Sequence, residues 1–221
     1  MKLLLNAIIK FVLGIVMIGG LLFIPAGTFK YWNAWLFMAL LFIPMFFVGL
    51  VLFLKNKELL AKRLNSKEKE KTQKNVILIT VIIFFASFII AGLDFKYNLT
   101  RLPNGVVILG AIILLISYGL YIEVMRENTY LSRTVEIQEN QKVIDTGLYG
   151  IVRHPMYMAT TFLYLSFPLV LGSLISFLIL LLFPLVLVKR IKNEEDVLEK
   201  GLDGYKEYKQ KVKYKMIPFI W

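Results

Sequence analysis

Gly147-Leu-Tyr-Gly-Ile-Val-Arg-His-Pro-Met-Tyr157 is a polar, ring-rich stretch between two long hydrophobic blocks, and it holds the only histidine of the chain. The blocks decide the fold class, because 58% of the 221 residues are hydrophobic and the mean hydropathy is +0.69. An ordinary soluble domain is about half apolar. We therefore predict an all-α integral membrane protein, and we look for its function at the polar stretch.

Composition excludes several kinds of site. The net charge of +11 is explained more simply by an excess of Lys and Arg in cytoplasmic loops than by nucleic-acid binding. The chain has no cysteine, so it has no disulfide, cysteine nucleophile or thiolate metal site. One histidine also excludes a His-rich metal site. We expect neither nucleic acid nor a metal as a partner.

Hydrophobic segments predict about six transmembrane helices. The last apolar block, Met158 to Val188, has 31 residues. As one helix it would measure about 46 Å, which exceeds the roughly 30 Å of hydrocarbon in a bilayer. We therefore predict that Gly172-Ser173 divides it into a short helical hairpin. The other four spans are Leu3 to Ile24, Ala34 to Leu54 with a kink at Pro44, Val76 to Leu93, and Gly105 to Met125.

Small residues in the fourth span suggest close helix packing. Gly105, Gly110 and Gly119 could each let a neighbouring helix approach.

Charge sets the expected topology. The run from Lys55 to Lys74 has eight basic and three acidic residues, a net charge of +5, which predicts a cytoplasmic location. We interpret it as an anchor on anionic headgroups rather than a ligand site. Both termini and the segment Arg126 to Tyr157 then share this face, and we expect the plasma (inner) membrane with a cytoplasmic active site. We divide the chain into a four-helix region, 1–125, and a cofactor-binding region, 126–221.

This topology predicts that two polar segments meet. The open ends of a hairpin of adjacent helices lie within about 10 Å of each other, which brings the His154 segment next to Glu194 and Glu195. Pro155 favours a helix start after His154, where unpaired backbone N–H groups could bind an anion. The alternative is an interfacial belt in which Arg153 reaches phosphate and the tyrosines lie at headgroup level.

Arg190 and Glu194 lie four residues apart on one helix face. One hypothesis is a divided site, in which Glu194 binds a cationic or hydroxylated cofactor and Arg190 holds an anionic substrate group. The alternative is a surface ion pair that contributes less than about 1 kcal/mol. We expect Glu195 to be solvated or a neighbour of basic residues.

The order of motifs carries a family resemblance. Gly147-x-Tyr149-x3-Arg153-His154-Pro155-x-Tyr157 is followed by the hydrophobic hairpin, Arg190-x3-Glu194-Glu195-x2-Leu198, Gly204-Tyr205-x2-Tyr208-x3-Val212 and Ile217-Pro218-Phe219. This order resembles the isoprenylcysteine carboxyl methyltransferase family and, more loosely, the membrane phospholipid N-methyltransferases. The resemblance covers Val135 to Trp221. Ala159 replaces a usual glycine, and Gln141 replaces a usual histidine.

The resemblance implies an integral-membrane methyltransferase that uses S-adenosylmethionine on the cytoplasmic side and needs no metal. Its acceptor would be a lipophilic small molecule or a prenylated or lipid group, reached from among the membrane lipids. Arg190 matches the substrate-contacting arginine of the family. The implied cofactor-binding residues are Gln141, Lys142, Val143, Ile144, Tyr149, His154, Pro155, Met156, Tyr157 and Glu194.

Several functions stay open from the sequence. O-methylation of a carboxylate follows the first family, and N-methylation of a phospholipid or another small lipid follows the second. A non-enzymatic membrane protein or small transporter is a lesser alternative, because ionisable groups at mid-membrane are almost absent. An acyl or phosphatidyl transferase is disfavoured, because the chain has one histidine, followed by proline, and no cluster of aspartates.

Overall fold

A computed structural model describes residues 2–65, 71–132, 134–135 and 137–221, except the side chains of Lys71 and Thr72. These residues form helices and connecting loops, with one isolated bridge between Arg101 and Ser173. A short 3-10 helix covers Gly147–Gly150. The α-helices are α1 (Lys2–Ala26), α2 (Trp32–Lys55), α3 (Lys57–Leu64), α4 (Lys71–Tyr97), α5 (Asn104–Glu127), α6 (Pro155–Leu171), α7 (Leu174–Leu180), α8 (Leu182–Gly201) and α9 (Tyr205–Lys211).

The predicted all-α membrane fold is confirmed. Five helical segments in the described residues are long and apolar enough to cross a membrane: Lys2–Ala26, Trp32–Lys55, Gln73–Tyr97, Asn104–Glu127 and Leu174–Gly201. The remaining predicted span is α6, which has 17 residues and a length of about 25 Å. It is shorter than the other spans and packs along α5.

The basic run from Lys55 to Lys74 is not one loop. Its first part forms α3, and its last residues begin α4. Asn56 caps α3 by accepting a hydrogen bond from the Leu59 N–H, at 3.0 Å. Lys10 of α1 donates to the Leu64 carbonyl at the other end, at 2.6 Å. Residues 66–70 of the run, including Lys67, Glu68, Lys69 and Glu70, lie outside the described residues.

The predicted division of the last apolar block at Gly172-Ser173 is confirmed. Gly172 has a φ of 76°, in the left-handed region where glycine is favoured, and it ends α6. Ser173 begins α7, because its hydroxyl accepts the Ser176 N–H at 3.2 Å. The second arm is interrupted at Leu181, three residues before Pro184, which has no N–H to donate to the preceding turn.

A buried carboxylate fastens this turn to the neighbouring loop. Asp94, 3% exposed, accepts hydrogen bonds from the Thr100 N–H at 2.7 Å and from the hydroxyls of Thr100 and Ser173. The hairpin is therefore closed at its turn, and its open end lies at the other end of the bundle.

One proline of α2 and three glycines of α5 lie inside the helices where kinks or close packing were expected. Tyr118 of α5 donates to the Leu41 carbonyl at 2.6 Å, next to Leu40, whose carbonyl has no N–H donor at Pro44. A Cβ atom at Gly110 would lie 2.7 Å from the Leu169 Cβ and 3.0 Å from the Val170 nitrogen, so α5 and α6 are in close contact there. Among the described residues, no atom of another element lies within 4 Å of a Cβ at Gly105 or Gly119, so the predicted close packing at these two glycines is wrong.

The contact at Gly110 predicts a difference between two glycines of the same helix. Gly110→Ala should destabilise the folded protein by about 1–3 kcal/mol, because the new methyl overpacks the α5–α6 contact. Thermal unfolding in detergent should show a lower Tm. Gly119→Ala is the matched control and should leave the Tm unchanged or raise it, since helix propensity favours alanine. Equal effects of the two substitutions would contradict the close approach at Gly110.

Candidate active site

One cavity of about 370 Å³ lies at the open end of the hairpin. α4, α6, α8 and α9 contribute to its wall, together with the chain between α5 and α6. Pro155 is buried at the first position of α6 and does not line the cavity. The other sequence-predicted site residues do line it: Gln141, Lys142, Val143, Ile144, Tyr149, His154, Met156, Tyr157, Arg190 and Glu194.

The predicted meeting of the His154 segment with α8 is confirmed, and a buried ion cluster produces it. Glu195 Oε1 accepts a hydrogen bond from Arg153 Nε at 2.8 Å and lies 3.2 Å from His154 Nε2. Lys215 Nζ lies 3.5 Å from Glu195 Oε2. Glu195 is only 3% exposed, so the expectation that it is solvated was wrong, while the expectation of basic neighbours was right.

The C-terminal segment is hydrogen-bonded to the residues of this cluster. Arg153 Nη1 donates to the carbonyls of Val212 and Lys213, at 2.7 and 2.9 Å. The backbone N–H of Arg153 donates to the Tyr214 carbonyl at 2.9 Å, and the backbone N–H of His154 donates to the Lys215 carbonyl at 2.8 Å. The His154 N–H is therefore not available to an anion, because the tail already uses it, and anion binding by the other N–H groups at this helix start stays a prediction.

Tyr157 stands between the two charged residues that were expected to form an ion pair. Its hydroxyl donates to Glu194 Oε2 and accepts from Arg190 Nε at 2.8 Å. The Arg190 guanidinium also lies over the Tyr157 ring, 5.8 Å from the centroid. Both side chains belong to the described residues, and they form no direct ion pair with each other. The surface ion-pair alternative is wrong for this arrangement, which is half-buried.

A glutamine on α4 completes this polar chain. Gln73, fully buried, accepts a hydrogen bond from Arg190 Nη1 at 2.9 Å. Its Nε2 donates to Asn193 Oδ1 at 2.6 Å and to the Arg190 carbonyl at 3.4 Å. Sequence reasoning missed Gln73, because it lies in the lysine-rich run that we interpreted as a membrane anchor.

The segment before the motif is held by its own contacts. Gln141 Oε1 accepts the Gln138 N–H at 2.9 Å, so the residue that replaces the family histidine closes a local turn. Val143 packs on a small second core formed by Leu202, Tyr205, Tyr208 and Val212.

Tyr149 links the motif to α5 and α9. Its hydroxyl accepts from Asn128 Nδ2 at 2.9 Å, and its carbonyl accepts from the Tyr208 hydroxyl at 2.7 Å. Burial raises the pKa of both tyrosines, so both stay protonated at neutral pH. Gly147 has a φ of 53°, and a Cβ there would collide with the Glu127 carboxylate, which accepts the Leu148 N–H at 3.0 Å.

The cavity is basic, with one acidic side chain in the described part of its wall. Glu194 is the acid, and the basic residues are Arg63, Lys142 and Arg190, together with Arg153 and His154, which contact the buried Glu195 carboxylate. Sequence reasoning did not assign Arg63, which reaches the cavity from α3 and donates to the Tyr121 hydroxyl. Within the described residues, no three His, Cys, Asp or Glu side chains are grouped as metal ligands.

The Tyr205 hydroxyl is a buried polar atom on this wall without a hydrogen-bond partner in the described structure. Burial raises the pKa of Tyr205, so the hydroxyl has a proton to donate. A buried donor without a partner is costly, and a polar ligand in the cavity would satisfy it.

The fold and the site define an integral membrane protein with a basic cavity at one end of its helical bundle. A sequence model described as phospholipid methyltransferase matches residues 106–203, and the family of that model comprises the isoprenylcysteine carboxyl and phospholipid methyltransferases. The match begins in α5, upstream of the resemblance seen in the sequence, and ends before α9. The family's functional class is that of membrane methyltransferases.

The chain is also similar to part of a Delta(14)-sterol reductase from Mus musculus. The two are 30% identical over 91 residues, which make up 40% of this chain and 22% of the reductase. The match therefore spans about a fifth of the length of that curated relative.

The buried cluster predicts a large effect of one carboxylate on stability. Glu195→Gln should lower the free energy of unfolding by about 3–5 kcal/mol, because it removes the negative charge that Arg153 and His154 share inside the protein. Glu199→Gln, on the same helix and partly exposed, is the control, with an expected effect of less than about 1 kcal/mol. The measurement is thermal unfolding in detergent. Similar Tm values for the two variants would contradict the role of Glu195.

Proposed function

We propose that this protein is an S-adenosylmethionine-dependent methyltransferase that acts on a lipophilic, membrane-associated acceptor. The family match supports the reaction class. The observation that carries the proposal is the Tyr157 hydroxyl between Glu194 and Arg190, which presents a carboxylate and a guanidinium to one cavity. These two groups suit a positively charged donor and a negatively charged acceptor.

The residues present fit such a methyl donor. The cavity of about 370 Å³ lies in the range of small-molecule sites, roughly 300–1000 Å³. Glu194 offers its carboxylate to an amino group or to hydroxyls, and Tyr205 offers an unused hydroxyl. Gln141 to Ile144, Tyr149, His154, Met156 and Tyr157 form the surrounding wall. S-adenosylmethionine, when bound, supplies a methyl group on a positively charged sulfur.

The chain itself contributes position and charge. Arg190 is held at its Nε by Tyr157 and at its Nη1 by Gln73, so its guanidinium has a fixed orientation beside the cavity. A fixed cation can align an anionic nucleophile, and alignment of two reactants can supply on the order of 7–11 kcal/mol of barrier lowering. The apolar side chains of Val76, Phe183 and Leu187 line the same cavity and suit a lipophilic tail.

The acceptor we favour is a carboxylate, giving O-methylation like that of isoprenylcysteine carboxyl methyltransferases. A carboxylate is already ionised at neutral pH, so it needs no general base. The basic excess of the wall also favours an anion. The alternative is N-methylation of a phospholipid or another small lipid, which the description of the matching family favours. An amine would first have to lose a proton, and Glu194 is the acidic side chain placed to accept it among the described residues.

The cavity end of the bundle is proposed to face the cytoplasm. Arg63 of α3 lines the cavity, so the basic residues Lys57 and Lys62 of the same helix lie at that end. An excess of Lys and Arg favours the cytoplasmic side. The plasma (inner) membrane is the proposed location.

Cofactor binding by the protein purified in detergent tests the proposal. Glu194→Gln and His154→Ala should weaken S-adenosylmethionine binding, measured by calorimetry, by about tenfold or more, which is the loss expected when a hydrogen bond to a charged group is removed. Arg190→Ala should keep the cofactor affinity and lose methyl transfer.

Glu123→Gln is the control, because Glu123 pairs with Arg126 on the surface of α5 and lies outside the cavity wall. Unchanged binding in both Glu194→Gln and His154→Ala would refute the assignment. Binding of a nicotinamide dinucleotide in place of S-adenosylmethionine would instead favour a reductase, which is the class given in the name of the similar mouse protein.

The type of methyl bond separates the two acceptors. Membranes containing the protein, incubated with methyl-labelled S-adenosylmethionine, should transfer label to a lipid-soluble product. Mild alkali should release this label as methanol, because an ester hydrolyses and an N-methyl group does not. Label that is not released as methanol by alkali, and stays on an amine whether or not the acyl chains are hydrolysed, would favour the N-methylation alternative.

A further inference from the structure

A separate cavity lies at the end of the bundle away from the candidate active site. It has a volume of about 510 Å³ and lies between the starts of α2 and α5. The hairpin turn is at this end, because the Leu102 N–H donates to the Gly172 carbonyl at 3.0 Å. Trp32 in the cavity wall is 68% exposed, as is typical of a tryptophan at a membrane–water interface. The cavity therefore lies at the level of lipid headgroups.

The described wall of this cavity contains two cations and no acid. Lys30 precedes α2 and Arg101 precedes α5, and both residues are exposed. Neither side chain forms an ion pair with another described residue. Asp94 lines an adjoining cavity of about 250 Å³, but its carboxylate accepts hydrogen bonds from Thr100 and Ser173. The cavity between α2 and α5 therefore favours an anion.

The gap between α2 and α5 ends inside the membrane. Leu36 of α2 and Val107 and Ile108 of α5 give the cavity an apolar wall. Farther along, the two helices are in contact, since the Tyr118 hydroxyl donates to the Leu41 carbonyl at 2.6 Å. Leu41 lies nine residues after the first residue of α2, which is about 14 Å along the helix. The hydrocarbon of one leaflet is about 15 Å thick, half of the bilayer core.

We propose that this cavity binds a phospholipid with a net negative headgroup from the leaflet at this end of the bundle. Lys30 and Arg101 pair with the phosphodiester, for which the arginine fork is suited. One acyl chain lies against Leu36 and Ile108 in the gap between the helices. A zwitterionic phospholipid has the same phosphate but also a cationic group, which the two protein cations repel.

This inference is independent of the proposed methyl transfer. The two cations, the apolar wall and the contact that ends the gap are separate from the residues that line the candidate active site. A lipid bound here would also fasten α2 to α5 at the end where the two helices are apart. Such a lipid therefore stabilises the fold from the membrane face that the active site does not use.

Native mass spectrometry of the protein in nonionic detergent tests the inference. Phosphatidylglycerol is the probe, phosphatidylcholine with the same acyl chains is its zwitterionic match, and diacylglycerol lacks the phosphate. Lys30→Gln combined with Arg101→Gln should lose one tightly bound phosphatidylglycerol, whose affinity should fall by about tenfold or more, because charge-assisted hydrogen bonds are lost. Binding of phosphatidylcholine and diacylglycerol should change by less than about twofold.

Two control variants separate the cavity from its surroundings. Lys96→Gln removes an exposed cation at the same end of the bundle but outside both cavity walls, and it should bind phosphatidylglycerol like the wild type. Ile108→Trp should fill the apolar part and weaken phosphatidylglycerol binding with both cations in place. Leu109→Trp is its match, because Leu109 is similarly exposed and lies outside the wall, and it should have no effect.

Several results would overturn the inference. These are equal phosphatidylglycerol binding by the wild type and the double variant, an equal loss in Lys96→Gln, or displacement of the lipid by millimolar inorganic phosphate, which would show a site for phosphate alone. If the double variant has a lower Tm without lipid, the comparison of Ile108→Trp with Leu109→Trp decides. S-adenosylmethionine affinity should stay within about twofold in all variants. A wild type that binds the lipid but not S-adenosylmethionine would refute the proposed function alone.

Discussion

The carboxylate of Glu195 is the constraint on which the site depends. It joins α8 to Arg153 and His154, which precede α6 at the open end of the hairpin, and Lys215 joins it from the tail. A buried carboxylate without such partners would be costly, and a buried arginine without the carboxylate equally so. The three segments therefore have to come together or leave charges unpaired inside the protein. Arg153 also holds the tail through two backbone carbonyls, so the cluster fixes three connections at once.

The adjacent residues Glu194 and Glu195 have different roles in the site. Successive residues of a helix point about 100° apart, so Glu195 faces the buried cluster while Glu194 faces the cavity. Fixing Glu195 also fixes the rotation of α8, and this rotation places Arg190, one turn before Glu194, on the same wall. Tyr157 comes to this wall from α6, one turn after the helix start that His154 and Pro155 define. The stabilising cluster and the ligand-facing groups are thus parts of one arrangement.

Local sequence predicted what depends on length, periodicity and turn residues. The spans follow from the lengths of the apolar segments, the hairpin turn from Gly172-Ser173, and the meeting of residue 154 with α8 from the hairpin itself. The rest depends on contacts between segments. No local sequence pattern indicates which glutamate is buried. The same is true of the pairing of Gln73 with Arg190 and of the hydrogen bond from the His154 N–H to the tail. The glycine packing was predicted in part, because small residues permit a contact and only the neighbouring helix decides where it forms.

In the proposed carboxylate reaction, the reactants are charged at the reacting atoms and the products are not, which favours product release. Before transfer, the donor carries a positive charge that Glu194 can attract, and the acceptor carries a negative charge that Arg190 can attract. After transfer, both charges have disappeared, since the sulfur becomes a neutral thioether and the carboxylate a neutral ester. The two protein groups then attract the products less strongly than they attracted the reactants, because the sulfonium and carboxylate charges are gone. N-methylation lacks this symmetry, because a methylated amine can keep a positive charge in a basic cavity. The separation of Arg190 from Glu194 by the Tyr157 hydroxyl is therefore important, because a direct ion pair would cancel both attractions before any ligand arrived.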